Sequence, residues 1–323
     1  MEKLVEQFIE LMNALKGIKT PLLVTHPKAD ADALGSVFSF AEILKNEFHL
    51  KSKIFTPDKP GEIFEGLFPI YKIENDFKIE EHDSIIFLDR GSLYYDFKFN
   101  EKINKSGEKI KVINIDHHPQ STITNALNLT DISASATCEI IYRFMNYFNM
   151  NINPKLAQYL LNGIYADTGG FRHNNTSPLT LEISSDLLRK GASITKINRG
   201  LFSNKSLNTL KLWAIALERA QINPKTGMAT SFITNEDLEK CGATIEDTAG
   251  VSEILNSISE SKFSLVLSER DDNKIKASLR SEEYKGVDVS KIARQFKGGG
   301  HKLASGFEIE GKLRKNKDGW TIE

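Results

Sequence analysis

Short apolar runs alternate along this chain with longer segments whose apolar residues recur every three or four positions. The runs at residues 22–25, 84–88 and 111–116 are rich in β-branched residues, which predicts buried strands. Helical spacing is clear in the longer segments, for example at residues 33–48 and 134–148. Strand and helix in alternation favour an α/β fold with a mostly parallel sheet covered on both faces.

The alternation changes near residue 191, where a polar, irregular stretch begins. Farther along, residues 263–268 and 274–279 alternate in polarity around an Asp-Asp-Asn turn, which predicts a β-hairpin. With 323 residues the chain is long enough for two hydrophobic cores. We therefore expect a first domain over residues 1–190, a linker over 191–206, and a smaller α/β domain over 207–323.

Polar side chains cluster where the predicted strands and one predicted helix end. Because the carboxyl ends of strands in an open α/β sheet face one crevice, we expect these side chains to meet there. Taken singly, each has an ordinary interpretation, since Asp30 and Asp32 could simply cap the following helix and Asp89 could lie in a turn. The residues concerned are His26, Asp30, Asp32, Asp89, Asp116, His117, His118 and Asp167.

A cluster of carboxylates without positive charge would repel itself and raise its own pKa values. Oxygen ligands with a few imidazoles and no thiolates favour a hard or borderline divalent cation, manganese first, with magnesium or cobalt as alternatives. Two such ions ~3.5–4 Å apart would use every ligand, and that arrangement activates water for phosphoryl displacement. Asp89 stands alone on a central predicted strand, so it is the candidate to bridge the two ions.

A glycine triplet at residues 298–300 precedes His301 and a predicted short helix over residues 302–306. Such a loop could aim backbone N–H groups at an anion. The competing interpretation is a flexible exit from the preceding helix, and the residues alone do not choose between the two.

Arg280 ends a predicted strand close to the glycine triplet in sequence. A guanidinium there could bind two phosphate oxygens in bidentate fashion. The competing interpretation is a surface salt bridge with Glu282 or Glu283.

Composition and charge narrow the class of protein. A net charge of −1 argues against the broad basic face that grips long or duplex nucleic acid. No run approaches the ~18 apolar residues of a membrane span and the start is acidic, so we expect a cytoplasmic protein without membrane contact. Cys138 and Cys241 lack the spacing of a zinc site or redox pair and are expected to be buried thiols. The oligomeric state stays open, a homodimer included.

Five of these features, in the order in which they occur, resemble the motifs of one protein family. The first four look like the motifs of the DHH phosphoesterases, and the glycine triplet with His301 resembles the signature of the DHH-associated C-terminal domain. Within the family, a two-domain chain of this length is most similar to the nanoRNase and pAp phosphatase branch. The first four motifs are His26-x-x-x-Asp30-x-Asp32-Ala33, Asp89, Asp116-His117-His118 and Asp167-Thr168-Gly169-Gly170-Phe171-Arg172.

Carried over by position, the resemblance implies two sets of manganese ligands. His118 would face the scissile phosphate as a positioning or proton-donating group, and Asp116 would orient the imidazoles from behind. The implied ligands are His26 and Asp30 for one ion and Asp32, His117 and Asp167 for the other, with Asp89 as the bridge.

The resemblance also implies that the second domain holds the far end of the substrate. A binding wall close to the reacting phosphate would suit short substrates and leave no room for a long strand. The implied substrate-binding residues are Arg280, Gly298, Gly299, Gly300 and His301.

The activity implied is a manganese-dependent phosphodiesterase that hydrolyses very short single-stranded RNA and dinucleotides, with pAp 3′-phosphatase activity as a second reaction. A cyclic-dinucleotide or linear-dinucleotide phosphodiesterase would use the same residues and differ in pocket shape. An inorganic pyrophosphatase is less expected, because that branch lacks the glycine–histidine signature. A catalytically silent nucleotide sensor is the hypothesis from another class, although all six proposed ligands are present.

Overall fold

The fold is described from a computed structural model of the chain. The described residues are 2–68, 72–74, 76–91, 110–119, 123–201, 205–270, 273–300, 302–316 and 319–323. Of the candidate site residues, His301 lies outside these ranges. The chain forms two units, Met1–Asn204 and Lys205–Glu323, and each is described by itself.

A six-stranded, fully parallel sheet forms the centre of the first unit, which confirms the α/β prediction. Its strands are β1 (Pro21–Val24), β2 (Lys53–Phe55), β3 (Ile73–Glu74), β4 (Ser84–Leu88), β5 (Lys111–Asp116) and β6 (Leu127–Thr130). The spatial order is β3-β2-β1-β4-β5-β6, so the chain runs outward in one direction from β1 and in the other from β4. In such a sheet the ligand crevice forms outside the carboxyl ends of the two central strands.

Successive residues of the central strands pack into two different hydrophobic clusters. Leu23 of β1 and Ile86 of β4 belong to the larger cluster, to which the helices contribute. Leu22 and Ile85, one position earlier on each strand, belong to a smaller cluster that includes Phe77. Since alternate residues of a strand point to opposite faces, burial of both sets of side chains shows that the sheet is covered on both faces.

The described helices of the first unit supply most of the larger cluster. They are α1 (Glu2–Leu15), α2 (Ala31–Glu47), α3 (Thr137–Tyr147), α4 (Pro154–Asp167), α5 (Pro178–Arg189) and α6 (Ile194–Leu201). Helix α6 lies in the stretch that we predicted to be irregular, so that prediction is wrong for these positions. Ile197 of α6 is fully buried in the core, and this tertiary packing outweighs the polar character of the segment.

Two glycines allow α2 and α4 to approach closely at the start of the candidate site. A Cβ atom on Gly35 of α2 would lie 2.7 Å from the carbonyl oxygen of Tyr159 in α4. A Cβ atom on Gly163 of α4 would lie 2.4 Å from Cys138 Sγ and 2.5 Å from Asp32 Oδ1. Both helices can therefore deliver polar residues to one place only because these positions lack side chains.

The second unit contains a mixed sheet with the order β11-β12-β10-β9-β8-β7, and a separate two-stranded sheet, β13-β14. The predicted hairpin is confirmed, since β9 and β10 pair antiparallel along their length. The strands are β7 (Gln221–Asn223), β8 (Met228–Ile233), β9 (Phe263–Arg270), β10 (Lys274–Arg280), β11 (Gly299–Gly300), β12 (Ala304–Glu310), β13 (Leu313–Asn316) and β14 (Gly319–Ile322). The helices are α7 (Leu207–Glu218), α8 (Asn235–Cys241), α9 (Val251–Asn256) and α10 (Val289–Gln295).

The segment after the glycine triplet is a strand, so the predicted helix over residues 302–306 is wrong. Strand β12 pairs with β10 along its whole length, and Ser305 and Phe307 are buried on alternate positions. A helix would forfeit these pairings and expose the Phe307 ring. The loop is therefore not followed by a helix N-terminus that could attract an anion. Only the backbone N–H groups of the loop itself remain as a reason for expecting an anion site there.

Two expectations from composition can be compared with the structure. Cys138 and Cys241 are both buried free thiols, as predicted. No helix within the described ranges is long and apolar enough to cross a bilayer.

Gly163→Ala should destabilise the protein, because its new methyl group would collide with Cys138 Sγ and Asp32 Oδ1. We expect a loss of about 1–3 kcal/mol in the free energy of unfolding, the usual cost of overpacking a core. Urea denaturation of the metal-free protein measures it. Gly66→Ala is the matched control, since nothing lies within 4 Å of its added Cβ. Equal stability of the two variants would contradict the close packing.

Candidate metal centre

The predicted polar residues of the first unit come together outside the carboxyl ends of β1, β4 and β5. His26 follows β1, Asp89 follows β4 directly, and His117 and His118 follow β5. Helix α2 adds Asp30 and Asp32 at its start, and α4 adds Asp167 at its end. Three overlapping groups have ligand atoms within 4.8 Å of one another: His26, Asp30 and Asp89; Asp32, His117 and Asp167; and Asp89, His117 and His118.

Asp89 belongs to two of these groups. Its Oδ2 is 3.8 Å from His26 Nε2, while its Oδ1 is 3.7 Å from His117 Nε2. The side chain is only 2% exposed, and the backbone is left-handed with φ of 51°. This conformation is uncommon for a residue other than glycine and recurs where a side chain must be aimed. One carboxylate with an oxygen toward each group is the geometry that a bridging ligand needs.

The rings of His26 and His117 are held by backbone carbonyl oxygens. Nδ1 of His26 lies 2.7 Å from the oxygen of Pro27, and Nδ1 of His117 lies 3.3 Å from that of Ala134. Because a carbonyl oxygen can only accept, each Nδ1 carries the proton and each Nε2 presents its lone pair. Both Nε2 atoms face carboxylates of the cluster, so the tautomers fit metal ligation.

Asp30 caps α2, as its ordinary interpretation requires, whereas Asp32 lies in the first turn of α2 and caps α3 instead. Asp30 Oδ1 accepts hydrogen bonds from the amides of Asp32 and Ala33 at 3.0 Å each, while its Oδ2 lies 3.9 Å from His26 Nε2. Asp32 is buried and accepts from the amides of Thr137 and Cys138, at the start of α3. Each carboxylate is thereby locked in place, and capping and ligation do not exclude each other.

Asp167 lies next to His117, although 50 residues separate them in the chain. The Oδ2 atom of Asp167 is 3.5 Å from His117 Nε2, and its side chain is 29% exposed. With Asp32, these residues form the second of the groups given above. The chain therefore places the most distant predicted ligand where the cluster requires it.

Asp116 supports the site without facing its centre. Its Oδ1 accepts from the Nδ1 and the amide of His118 at 2.8 and 2.9 Å, and its Oδ2 accepts from the amides of Arg90 and Gly91 at 2.9 Å each. Burial opposes ionisation, but these hydrogen bonds prevail and lower the pKa of Asp116. Burial likewise acts to lower the pKa of His118, yet the hydrogen bond and charge of Asp116 raise it.

The remaining carboxylates repel one another. Burial, followed by the charges of neighbouring aspartates, raises the pKa of Asp89 and of Asp167 well above the usual range. Burial also raises the pKa of Asp32, against the attraction of His117. A divalent cation would reverse this penalty, because ligation requires the ionised form. The donor set therefore fits divalent metal ions.

One further side chain, which the sequence pattern does not predict, contacts the site. Thr137, the first residue of α3, is fully buried and its hydroxyl donates a hydrogen bond to Asp89 Oδ1 at 3.1 Å. A threonine at a helix start predicts only local capping, so nothing in the sequence pattern indicates this contact.

The candidate substrate-binding residues of the second unit are less distinctive. Arg280 Nε donates to Glu253 Oε1 at 2.8 Å, so the ion pair exists but its partner is neither Glu282 nor Glu283. Gly299 and Gly300 form an exposed edge strand that pairs with β12. Gly298 packs so tightly that an added Cβ would lie 2.3 Å from the Gly306 carbonyl oxygen. Close packing thus explains glycine at positions 298 and 300, whereas a Cβ atom on Gly299 would meet nothing within 4 Å.

Comparisons with known proteins agree with the two-unit architecture. Residues 21–164 match the family model described as DHH family, N-terminal domain, and residues 225–318 match the DHHA1 domain. The chain is 30% identical to the bifunctional oligoribonuclease and PAP phosphatase NrnA of Bacillus subtilis, covering 93% of this chain and 92% of that one. It is 27% identical to the probable NrnA of Streptococcus mutans, covering 96% of each.

A solved structure shares the fold. The crystal structure of an exopolyphosphatase-related protein from Bacteroides fragilis superposes with a TM-score of 0.85 at 24% identity. It covers 95% of this chain and 92% of its own. This likeness concerns the fold alone.

Asp89→Asn should stabilise the metal-free protein while weakening metal binding. Because the pKa of Asp89 is higher in the folded than in the unfolded protein, the protonated carboxyl favours the folded state. This stabilisation is lost as the pH rises from 3.8 through the pKa of the folded protein. Removing the charge should therefore increase the free energy of unfolding of the metal-free protein by about 0.5–2 kcal/mol near pH 8, and by less near pH 4. Asparagine also tolerates the left-handed backbone.

Thermal unfolding of the metal-free protein at several pH values, with and without added Mn(II), measures both effects. Glu10→Gln removes an exposed carboxylate and should change neither. A metal-free Asp89→Asn protein that is less stable than the wild type at pH 8 would contradict the repulsion described above.

Proposed function

Because the chain belongs to the DHH family of metal-dependent phosphoesterases, we propose that it hydrolyses very short oligonucleotides, nanoRNA and dinucleotides. We propose removal of the 3′-phosphate of pAp as a second activity. The names of the relatives from Bacillus subtilis and Streptococcus mutans support this substrate class. The observation that carries the chemistry is the position of Asp89, with one carboxylate oxygen toward His26 and the other toward His117.

We propose that the cluster holds two Mn(II) ions, with Mg(II) or Co(II) as alternatives. His26 and Asp30 would belong to one ion, Asp32, His117 and Asp167 to the other, and Asp89 to both. When bound, such ions supply activation of a water molecule and stabilisation of charge on the phosphoryl oxygens. The close approach of the ligand atoms within His26, Asp30 and Asp89 and within Asp32, His117 and Asp167 supports this division. The 3.7 Å between Asp89 Oδ1 and His117 Nε2 supports the assignment of Asp89 to both.

His118 is proposed to act on the substrate rather than on a metal ion. Its Nδ1 is held by Asp116 at 2.8 Å, so a proton given to the leaving oxygen would come from Nε2. The same hydrogen bond favours the protonated ring, as the raised pKa of His118 indicates, although burial alone would lower it. Asp116 thus fixes the orientation of this histidine and favours its protonated form.

In the second unit, Arg280, Gly298, Gly299, Gly300 and His301 are proposed to bind a part of the nucleotide away from the reacting phosphate. Arg280 is partly exposed and already paired with Glu253. A phosphate would therefore displace the Glu253 carboxylate or share the Arg280 guanidinium with it, since a guanidinium can contact two acceptors at once.

The proposed activity is tested with a substrate panel under one metal condition. We expect labelled dinucleotides and pAp to be hydrolysed with Mn(II) and not with EDTA. Long RNA, duplex DNA and pyrophosphate should be poor substrates, and cyclic dinucleotides test the alternative phosphodiesterase. Asp89→Ala should lose about 10²–10³-fold in kcat, because it removes the proposed bridging ligand of the ions that would stabilise charge in the transition state. Full activity in Asp89→Ala, or turnover confined to pyrophosphate, would contradict the proposal.

Arg280→Ala should raise KM for a dinucleotide while scarcely affecting bis-p-nitrophenyl phosphate. The reason is that a contact made equally in ground and transition states changes KM and not kcat. Arg280→Lys keeps the charge but loses the bidentate geometry, so its KM should lie between those of the wild type and Arg280→Ala. Glu253→Gln is the matched control for the loss of the ion pair. An equal loss on both substrates would show that Arg280 serves the fold instead.

A further inference from the structure

The segment 134–138, between β6 and the first turn of α3, contacts three proposed metal ligands from three different elements. The carbonyl oxygen of Ala134 accepts from His117 Nδ1 at 3.3 Å. The amides of Thr137 and Cys138 donate to the two carboxylate oxygens of Asp32, at 2.7 and 3.0 Å. The Thr137 hydroxyl donates to Asp89 Oδ1 at 3.1 Å. One short segment is therefore in contact with both proposed metal groups.

Among these contacts, the Thr137 hydroxyl is the one made by a side chain. Thr137 and Asp89 are 0% and 2% exposed, so their hydrogen bond is shielded from water. The hydroxyl is not needed for capping, because Asp32 already accepts from the first two amides of α3. Its role is thus directed at Asp89 rather than at its own helix.

The segment itself is held by a second layer of hydrogen bonds. Buried Glu139 accepts from the hydroxyls of Ser135 and Thr180 at 2.6 and 2.8 Å, and so joins the segment to α5. Arg143 of α3 donates to Asp131 at 2.7 Å, on the other side of the same loop. A hydroxyl carried by this segment therefore has a fixed position against which a neighbouring carboxylate can be oriented.

We propose that Thr137 is a positioning residue that sets the rotation of the Asp89 carboxylate. With Oδ1 held by Thr137 on the side of His117, Oδ2 must face His26, and each oxygen is presented to one metal group. The terminal torsion of an aspartate is otherwise broad, so an unheld carboxylate would lose this orientation. The inference rests on the proposed bridging role of Asp89.

The test compares Mn(II) affinity in full-length variants, measured by electron paramagnetic resonance of the unbound ion. Thr137→Val keeps the β-branched shape and the amide contact to Asp32 but removes the hydroxyl, and should weaken Mn(II) binding about 10–100-fold. Thr137→Ser retains the hydroxyl and should restore affinity. Under saturating Mn(II), the valine variant should show a lower kcat with KM little changed.

The matched control is Thr209→Val in the second unit. Thr209 is also buried and donates its hydroxyl to a carboxylate, that of Asp247, so it suffers the same chemical change away from the metal ligands. Its Mn(II) affinity should equal that of the wild type. If Thr137→Val lowers the thermal midpoint of the metal-free protein by more than the control does, Thr137→Ala against Thr137→Ser isolates the hydroxyl instead.

The outcomes distinguish the positioning role of Thr137 from the proposed function on which it rests. Wild-type affinity in the variants that lack the Thr137 hydroxyl, alongside Mn(II) binding by the wild type, overturns the positioning role and leaves the proposed function intact. A wild-type protein that takes up no Mn(II) overturns the proposed function itself. Weak binding by Thr137→Val or Thr137→Ala, restored in Thr137→Ser, supports the proposal.

Discussion

Repulsion between closely spaced carboxylates is the constraint on which the rest of the site depends. Beyond the cost of burial, neighbouring aspartates make Asp89 and Asp167 harder to ionise, and Asp30 does the same to Asp32 against the attraction of His117. A protein that brings such groups together gives up stability unless a cation joins them. Here the backbone does much of the holding, through amides that donate to Asp32 and Asp116.

The topology of the first sheet explains why distant residues converge. The chain leaves the sheet in opposite directions from β1 and β4, which opens a crevice outside their carboxyl ends. His26 and Asp89 follow these two strands, and Asp116 ends the neighbouring strand β5. Two helices then complete the site, and Gly163 allows their close approach. The fold and the site therefore share the same positions, so a packing change at Gly163 is also a change beside Asp32.

Much of the site could be predicted because its residues stand at the ends of strongly patterned elements. Runs of β-branched residues marked the central strands, and polar groups directly after them marked the edge of the sheet. The errors arose where tertiary contacts outweigh local pattern. Residues 304–310 form a strand because β10 offers a partner along its length, and Ile197 secures a helix in a polar stretch. The Thr137 contact and the Arg280–Glu253 pair depend on residues far apart in sequence, which periodicity cannot reveal.

The central claim, that separate groups of ligands share Asp89, is tested most directly by counting bound metal. Equilibrium dialysis against Mn(II), followed by elemental analysis, should give two ions per wild-type chain. His26→Ala removes a ligand from one group only and should leave one ion, held by Asp32, His117 and Asp167. No bound metal in the wild type, or two ions retained in His26→Ala, would contradict the account.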